Sequence, residues 1–123
     1  GLEVEGRAAP WPATAKTLDQ TRPGDLPDLL IAAIRVGFRA LTREAQSALA
    51  AAAVLGERVS ATRIGRGAGL ADPASALDEL EWTRWLVAEP RGYAFIARIV
   101  REVVVRDLVT AGQRQRIIDA AGP

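Results

Sequence analysis

The sequence predicts a mostly helical domain with one short β-hairpin, and three observations support this fold class. Apolar residues recur at helical spacing over most of the chain after its first 25 residues. Capping residues and glycines stand where this spacing predicts helix boundaries. The stretch from Trp85 to Phe95 instead carries two short runs of strand-forming residues around a proline–glycine turn. A chain of 123 residues, 49% hydrophobic and 25% charged, has the size and composition of one globular domain.

Residues 1–25 differ in composition from the rest. Prolines and Gly24 interrupt any long periodic element in this stretch, and hydrophobic residues are sparse. We therefore predict an extended arm or linker that packs through Trp11. The folded domain is assigned to residues 26–123.

Two helices are predicted next. The first starts near Asp25 or Pro27, and its apolar face consists of Leu30, Ala33, Ile34, Phe38 and Leu41. Thr42 is the expected N-cap of the second helix, and Gly56 is the expected end. This second helix is rich in alanine, which should allow neighbouring helices to approach closely.

A third and a fourth helix are separated by glycines. The third is predicted to start at Ser60 and to lose its regularity around Gly67 and Gly69. This glycine-rich stretch lacks the Lys-Ser/Thr ending and the preceding strand of a phosphate-binding loop, so a tight helix–helix turn is favoured. Asp72 followed by Pro73 predicts the start of the fourth helix.

The hairpin is predicted from a strand at Trp85–Glu89, a turn at 90–92 and a returning strand at Tyr93–Phe95. For residues 97–110 three consecutive valines favour a strand, whereas charged residues spaced four apart share one face only in a helix. Helix is the favoured prediction for that segment. A last helix is expected over Gln113–Ala121.

Three helices followed by a two-stranded hairpin is the order of a winged helix-turn-helix. The full prediction is therefore a winged helix-turn-helix with flanking helices. Its three helices would be Thr42–Leu55, Ser60–Ala68 and Pro73–Arg84, with the last in the position of a DNA-recognition helix.

Several kinds of chemistry are disfavoured by the composition. The chain has no cysteine and no histidine. It therefore has no thiolate nucleophile or zinc–thiolate site, and it lacks the commonest general base and metal ligand. We expect no enzymatic activity, no cofactor and no metal site. The sequence shows no secretory signal and no apolar run that could span a bilayer, so we expect a cytoplasmic protein without a membrane partner.

A series of short segments occurs in a recognisable order. They are Leu26-Pro27, Ala51 to Gly56, Ala76 to Glu81, Tyr93-x-Phe95 leading into Ile99 to Val104, and Gln113 to Arg116. In these segments the chain from Asp25 to Gly122 resembles the winged-helix region that follows the nucleotide-binding module in bacterial signal-transduction ATPases of the STAND class.

The resemblance implies a regulatory module that packs against the ATPase domain or another domain of the same protein and moves on activation. Many members of that class place a histidine after the Tyr-x-Phe strand, near the bound nucleotide. Ala97 stands there in this chain, so we expect no nucleotide contact of that kind. The first residue is Gly1 and methionine is absent, which suggests a piece of a longer protein.

Three functions remain open from the sequence. The favoured one is a regulatory and interaction module of a larger signalling ATPase, acting by protein–protein contacts. The alternative is the DNA-binding domain of a transcriptional regulator, and the third is a structural spacer. The predicted recognition helix carries acidic residues and one arginine, Arg84, which opposes binding to phosphates. The balance of 16 basic and 15 acidic residues adds no general attraction to nucleic acid.

Two groups of candidate site residues follow. The interaction candidates lie at the end of the predicted recognition helix and in the hairpin turn: Trp82, Arg84, Trp85 and Arg91. Solvent exposure of either tryptophan would favour an interaction module, since a spacer needs to display neither. The candidate basic patch, which would serve the DNA alternative, consists of Arg58, Arg63 and Arg66.

Overall fold

The computed structural model describes residues 28–122, so the predicted arm and Trp11 lie outside the described residues. Within this range the chain forms six α-helices and one two-stranded antiparallel sheet. The prediction of a mostly helical domain with one hairpin is thereby confirmed. In chain order the elements are α1 (Asp28–Arg39), α2 (Arg43–Leu55), α3 (Ala61–Ala68), α4 (Ala74–Trp82), β1 (Leu86–Glu89), β2 (Gly92–Phe95), α5 (Arg98–Val103) and α6 (Ala111–Ala121).

Side-chain caps fix the starts of three helices. Thr42, Ser60 and Thr110 precede α2, α3 and α6, and each side chain accepts a hydrogen bond from the backbone N–H three residues later. Thr110 and Gln113 cap each other reciprocally. The last helix consequently starts at Ala111, two residues before the predicted Gln113.

The segment after the hairpin is helical, as the charge spacing predicted. The valine-rich run continues α5 as a π-helical turn, Val104–Leu108. Val103 and Val104 are fully buried, so tertiary packing outweighs the strand propensity of the three valines.

The core is centred on α2. Every residue from 48 to 53 is buried, and five of these six are alanines. Their small side chains let α3, α4 and α6 approach α2 closely. An added Cβ at Gly67 in α3 would lie 3.2 Å from both Ile117 of α6 and Leu55 of α2. The absence of a side chain at Gly67 therefore lets α3 pack closely against α2 and α6, and α3 ends at Ala68 as predicted.

The hairpin is attached to the segment between α2 and α3. Its strands pair Leu86 with Phe95 and Glu89 with Gly92 at the two ends of the ladder. Val59 adds an isolated bridge to Tyr93, with N–H to carbonyl distances of 2.9 and 2.7 Å. Gly92 has φ +139°, and a Cβ there would lie 2.5 Å from the Val59 carbonyl oxygen. Only glycine suits this position, because both the backbone angle and the close approach exclude a side chain.

Candidate interaction surface

The buried and exposed sides of α4 are clearly divided. The helix begins at Ala74 with Pro73 at the N-cap, one residue later than predicted. Asp72 Oδ1 still accepts a hydrogen bond from the Ala74 N–H at 3.1 Å. Ala76, Leu77 and Leu80 are buried against the core. The opposite side, which we call the α4 outer face, is exposed and consists of Ser75, Asp78, Glu81 and Trp82.

A left-handed residue ends α4. Arg84 has φ +68°, and its N–H donates to the Glu81 carbonyl at 3.1 Å, while the Trp85 N–H donates to the Leu80 carbonyl at 2.9 Å. This pair of hydrogen bonds is a common helix-ending arrangement that usually has glycine in the left-handed position. The helix therefore ends at Trp82, and the predicted extension to Arg84 is wrong.

The same turn sends the two tryptophans in opposite directions. On a continuous helix, residues three apart would share one face. Here Trp82 is 81% exposed, whereas Trp85 is 1% exposed. The Trp85 ring packs edge-on against Phe38 of α1, with ring centroids 6.4 Å apart. Trp85 is therefore withdrawn from the candidate interaction residues, because a side chain in the core cannot touch a partner.

The remaining interaction candidates lie at the surface. Arg84 is exposed in the turn after α4, and Arg91 is exposed in the hairpin turn. Among the predicted site residues, Trp82 has a large apolar side chain that is exposed to solvent.

The carboxylates of α4 have different environments. Glu79 accepts two hydrogen bonds from Thr42, one from its N–H at 2.9 Å and one from its hydroxyl at 2.7 Å, and so ties α4 to the start of α2. Asp78 and Glu81 are exposed and take part in no ion pair or hydrogen bond within residues 28–122. The pKa of Tyr93 is raised first by burial and then by the negative charges of Glu81 and Asp78. The negative field of α4 thus reaches the hairpin.

The three arginines of the candidate basic patch have different environments. Arg58 forms an ion pair with Glu89 of β1 at 2.6 Å. The Arg63 side chain is partly buried, and its Nη2 donates to the Gly122 carbonyl after α6 at 3.5 Å. Arg66 is exposed near the end of α3. Two of the three guanidinium groups therefore bind within the chain, and the third is exposed.

The structure adds a cleft that the sequence did not reveal. It has a volume of about 310 Å³ and lies between the segment after α2, β2 and α5; its lining includes Arg58, Phe95, Arg98 and Arg101. Arg101 donates through Nε to the Ala53 carbonyl near the end of α2 at 2.9 Å. No spacing rule connects residues 48 positions apart, so this contact had no sequence signal.

Neither a metal-binding cluster nor a membrane-spanning helix is found in the part of the chain that the structure describes. Residues 28–122 bring together no group of three or more acidic, histidine or cysteine side chains that could hold a metal ion. No helix in the same range is long and apolar enough to cross a membrane.

Comparison with known proteins yields no match. No family model matches the sequence. No curated protein and no solved structure matches it either.

Proposed function

We propose that the chain is a non-catalytic winged-helix module that acts through protein–protein contacts. The observation that carries the proposal is the solvent exposure of Trp82 on the outer face of α4. We further propose that it belongs to a larger signalling ATPase and that its partner is the ATPase domain or another domain of that protein. This second step is supported by the sequence resemblance described above.

The element order supports the winged-helix assignment. Helices α2, α3 and α4 are followed directly by the hairpin of β1 and β2, as in a winged helix-turn-helix. Val59, between the first two of these helices, pairs with Tyr93 through an isolated bridge beside the hairpin. In this plan α4 is the recognition helix and the hairpin is the wing.

The exposed tryptophan distinguishes an interaction module from a spacer. Tryptophan is enriched among the residues that dominate protein–protein binding energy, because its large ring gains much when a partner covers it. Leu80 of the same helix is fully buried, so α4 already has an apolar side for the core. Trp82 adds nothing to that side, and a partner surface would explain its position.

The charge of α4 favours a protein partner over DNA. In a DNA-binding winged helix the outer face of this helix enters the major groove. Here that face presents Asp78 and Glu81, and neither has an ion-pair partner among residues 28–122. Phosphates repel both carboxylates, and non-specific affinity for DNA depends on the opposite charge.

The test is a fluorescence-anisotropy titration of labelled duplex DNA at low and at physiological salt. We expect the wild-type chain to show no micromolar binding. The double variant Asp78→Lys/Glu81→Lys should bind DNA at low salt, with binding that weakens steeply as salt rises. The control Asp28→Lys/Glu57→Lys makes the same charge change at two exposed positions away from α4 and should bind at least roughly fivefold more weakly than the α4 variant.

Micromolar, steeply salt-dependent binding by the wild type would replace the proposal with the DNA-binding alternative. Equal gains by the two double variants would show that net charge alone governs binding. In that case α4 would have no special position on the surface.

A further inference from the structure

The α4 outer face combines an exposed aromatic ring with two carboxylates that have no ion-pair partner among residues 28–122. Asp78 lies four residues before Trp82, one helical turn away on the same side, and Glu81 lies three residues after Asp78. Trp82 is 81% exposed. The three side chains are therefore neighbours on a single exposed strip of the helix.

Two carboxylates elsewhere in the described residues have ion-pair partners, in contrast to Asp78 and Glu81. Glu89 is paired with Arg58, and Asp107 with Arg106. Within residues 28–122, Asp78 and Glu81 have no such partner. A partner that supplies a positive charge would therefore find both carboxylates available.

We propose that this strip binds an arginine side chain of a protein partner, with the guanidinium stacked on the Trp82 ring and hydrogen-bonded to Asp78 or Glu81. The inference rests on the proposed function and specifies the chemistry of its partner. Arginine fits better than lysine because its planar group can stack on an indole and form two parallel hydrogen bonds to a carboxylate. A lysine ammonium can pair with the carboxylates as a point charge only.

Other occupants fit this strip less well. A purely apolar partner would cover Trp82 but would strip water from carboxylates without pairing them, which is unfavourable. A second copy placed about a two-fold axis on this face would bring its own Asp78 and Glu81 against the same residues. Like charges would then repel across the interface.

The experiment is an NMR titration of the complete ¹⁵N-labelled 123-residue chain. The probes are a blocked hexa-arginine peptide, a blocked hexa-lysine peptide and a duplex DNA, each at low salt. The Trp82 indole N–H signal, assigned with Trp82→Phe, reports on the strip. We expect this signal and the α4 amides to shift saturably with hexa-arginine, and hexa-lysine to bind at least roughly threefold more weakly.

Variants separate the contributions of ring and charge. Asp78→Asn/Glu81→Gln should weaken hexa-arginine binding at least about fivefold, and Trp82→Leu, which leaves the charge unchanged, at least about threefold. The control Asp28→Asn/Glu57→Gln removes the same charge at exposed positions outside the strip. It should change the affinity by less than about twofold.

Each contrary result has a distinct meaning. If the control weakens binding as much as the α4 variant does, or if Trp82→Leu has no effect, the arginine site is refuted. Trp82 shifts that depend on protein concentration alone would identify a second copy as the occupant and overturn the proposal. DNA-induced shifts in α4 would overturn the proposed function itself. Failure of both peptides and of DNA to move the Trp82 signal would refute the arginine site and leave the protein-contact proposal in place.

Discussion

The two tryptophans at the end of α4 give the sharpest test of the structure. Replacing each by alanine should destabilise the chain to very different extents, although the residues are only three apart in sequence. Trp82 is 81% exposed and Trp85 is 1% exposed. The difference in buried area fixes the expected difference in the free energy of unfolding.

For Trp82, about a fifth of the residue surface is covered. A tryptophan offers roughly 250 Å², so the covered part is about 50 Å², worth at most about 1 kcal/mol at ~25 cal/mol per Å². Alanine has the higher helix propensity, which returns about 0.5 kcal/mol. Trp82→Ala should therefore lower the free energy of unfolding by less than about 1 kcal/mol.

For Trp85 nearly all of this area is buried. The same arithmetic gives an upper limit near 6 kcal/mol, which the compact denatured state reduces to roughly 4–5 kcal/mol. Measured costs of truncating buried aromatic residues to alanine are about 3–5 kcal/mol. The lost edge contact with Phe38 is part of this cost.

The assay is urea unfolding followed by far-UV circular dichroism, which does not depend on the fluorophores that the variants remove. Trp85→Phe serves as a milder variant in case Trp85→Ala does not fold. A loss of more than about 2 kcal/mol in Trp82→Ala would show that its ring is buried. That result would refute both the outward orientation of Trp82 and the contact surface built on it.

Three further predictions concern single positions. Gly92→Ala should destabilise the chain by more than about 2 kcal/mol in thermal unfolding, because a Cβ would meet backbone at 2.5 Å at a positive φ; a loss under about 0.5 kcal/mol would contradict the close approach. Tyr93 is the only tyrosine, so ultraviolet absorbance can follow its ionisation directly. Its pKa should lie above the ordinary 10.0, and neutralising Glu81 and Asp78 should lower it. Since folding favours the protonated phenol, the stability contributed by Tyr93 should be complete below pH 10.0 and should be lost as pH rises through the folded-state pKa; an unshifted pKa would refute this. Arg84→Gly should raise stability by about 0.5–1 kcal/mol in urea unfolding by relieving the left-handed conformation, and a net loss would show that the arginine side chain contributes more than that strain.

Helix positions were largely predictable because they depend on local rules. Thr42 and Ser60 each accept a hydrogen bond from a backbone N–H of the helix that follows, and the sequence predicts a helix start at both positions. Thr110 caps the last helix in the same way, but the predicted start at Gln113 missed it. Apolar periodicity likewise predicted Ile34 and Leu41 on the apolar face of the first helix, and both are buried in the core.

The candidate surface was less predictable because it depends on distant contacts. Glu79 binds Thr42 across 37 positions of sequence, and Arg58 binds Glu89 across 31. The first contact leaves Asp78 and Glu81 as the exposed carboxylates of α4, and the second pairs one arginine of the expected basic patch with a carboxylate. Neither partner can be inferred from the spacing of charges along one segment.

The sequence by itself determined the helical class, most helix starts, the hairpin and the acidic character of α4, since these follow from the order of residues along one segment. Only the tertiary structure decided which tryptophan faces the solvent. Arg84 adopts the left-handed conformation between Trp82 and Trp85 and ends the helix there. Nothing in the neighbouring sequence requires that conformation of an arginine. This conformation is stable because it allows the Trp85 ring to pack in the core beside Phe38. The free energy gained by burying that ring exceeds the cost of the strained backbone at Arg84.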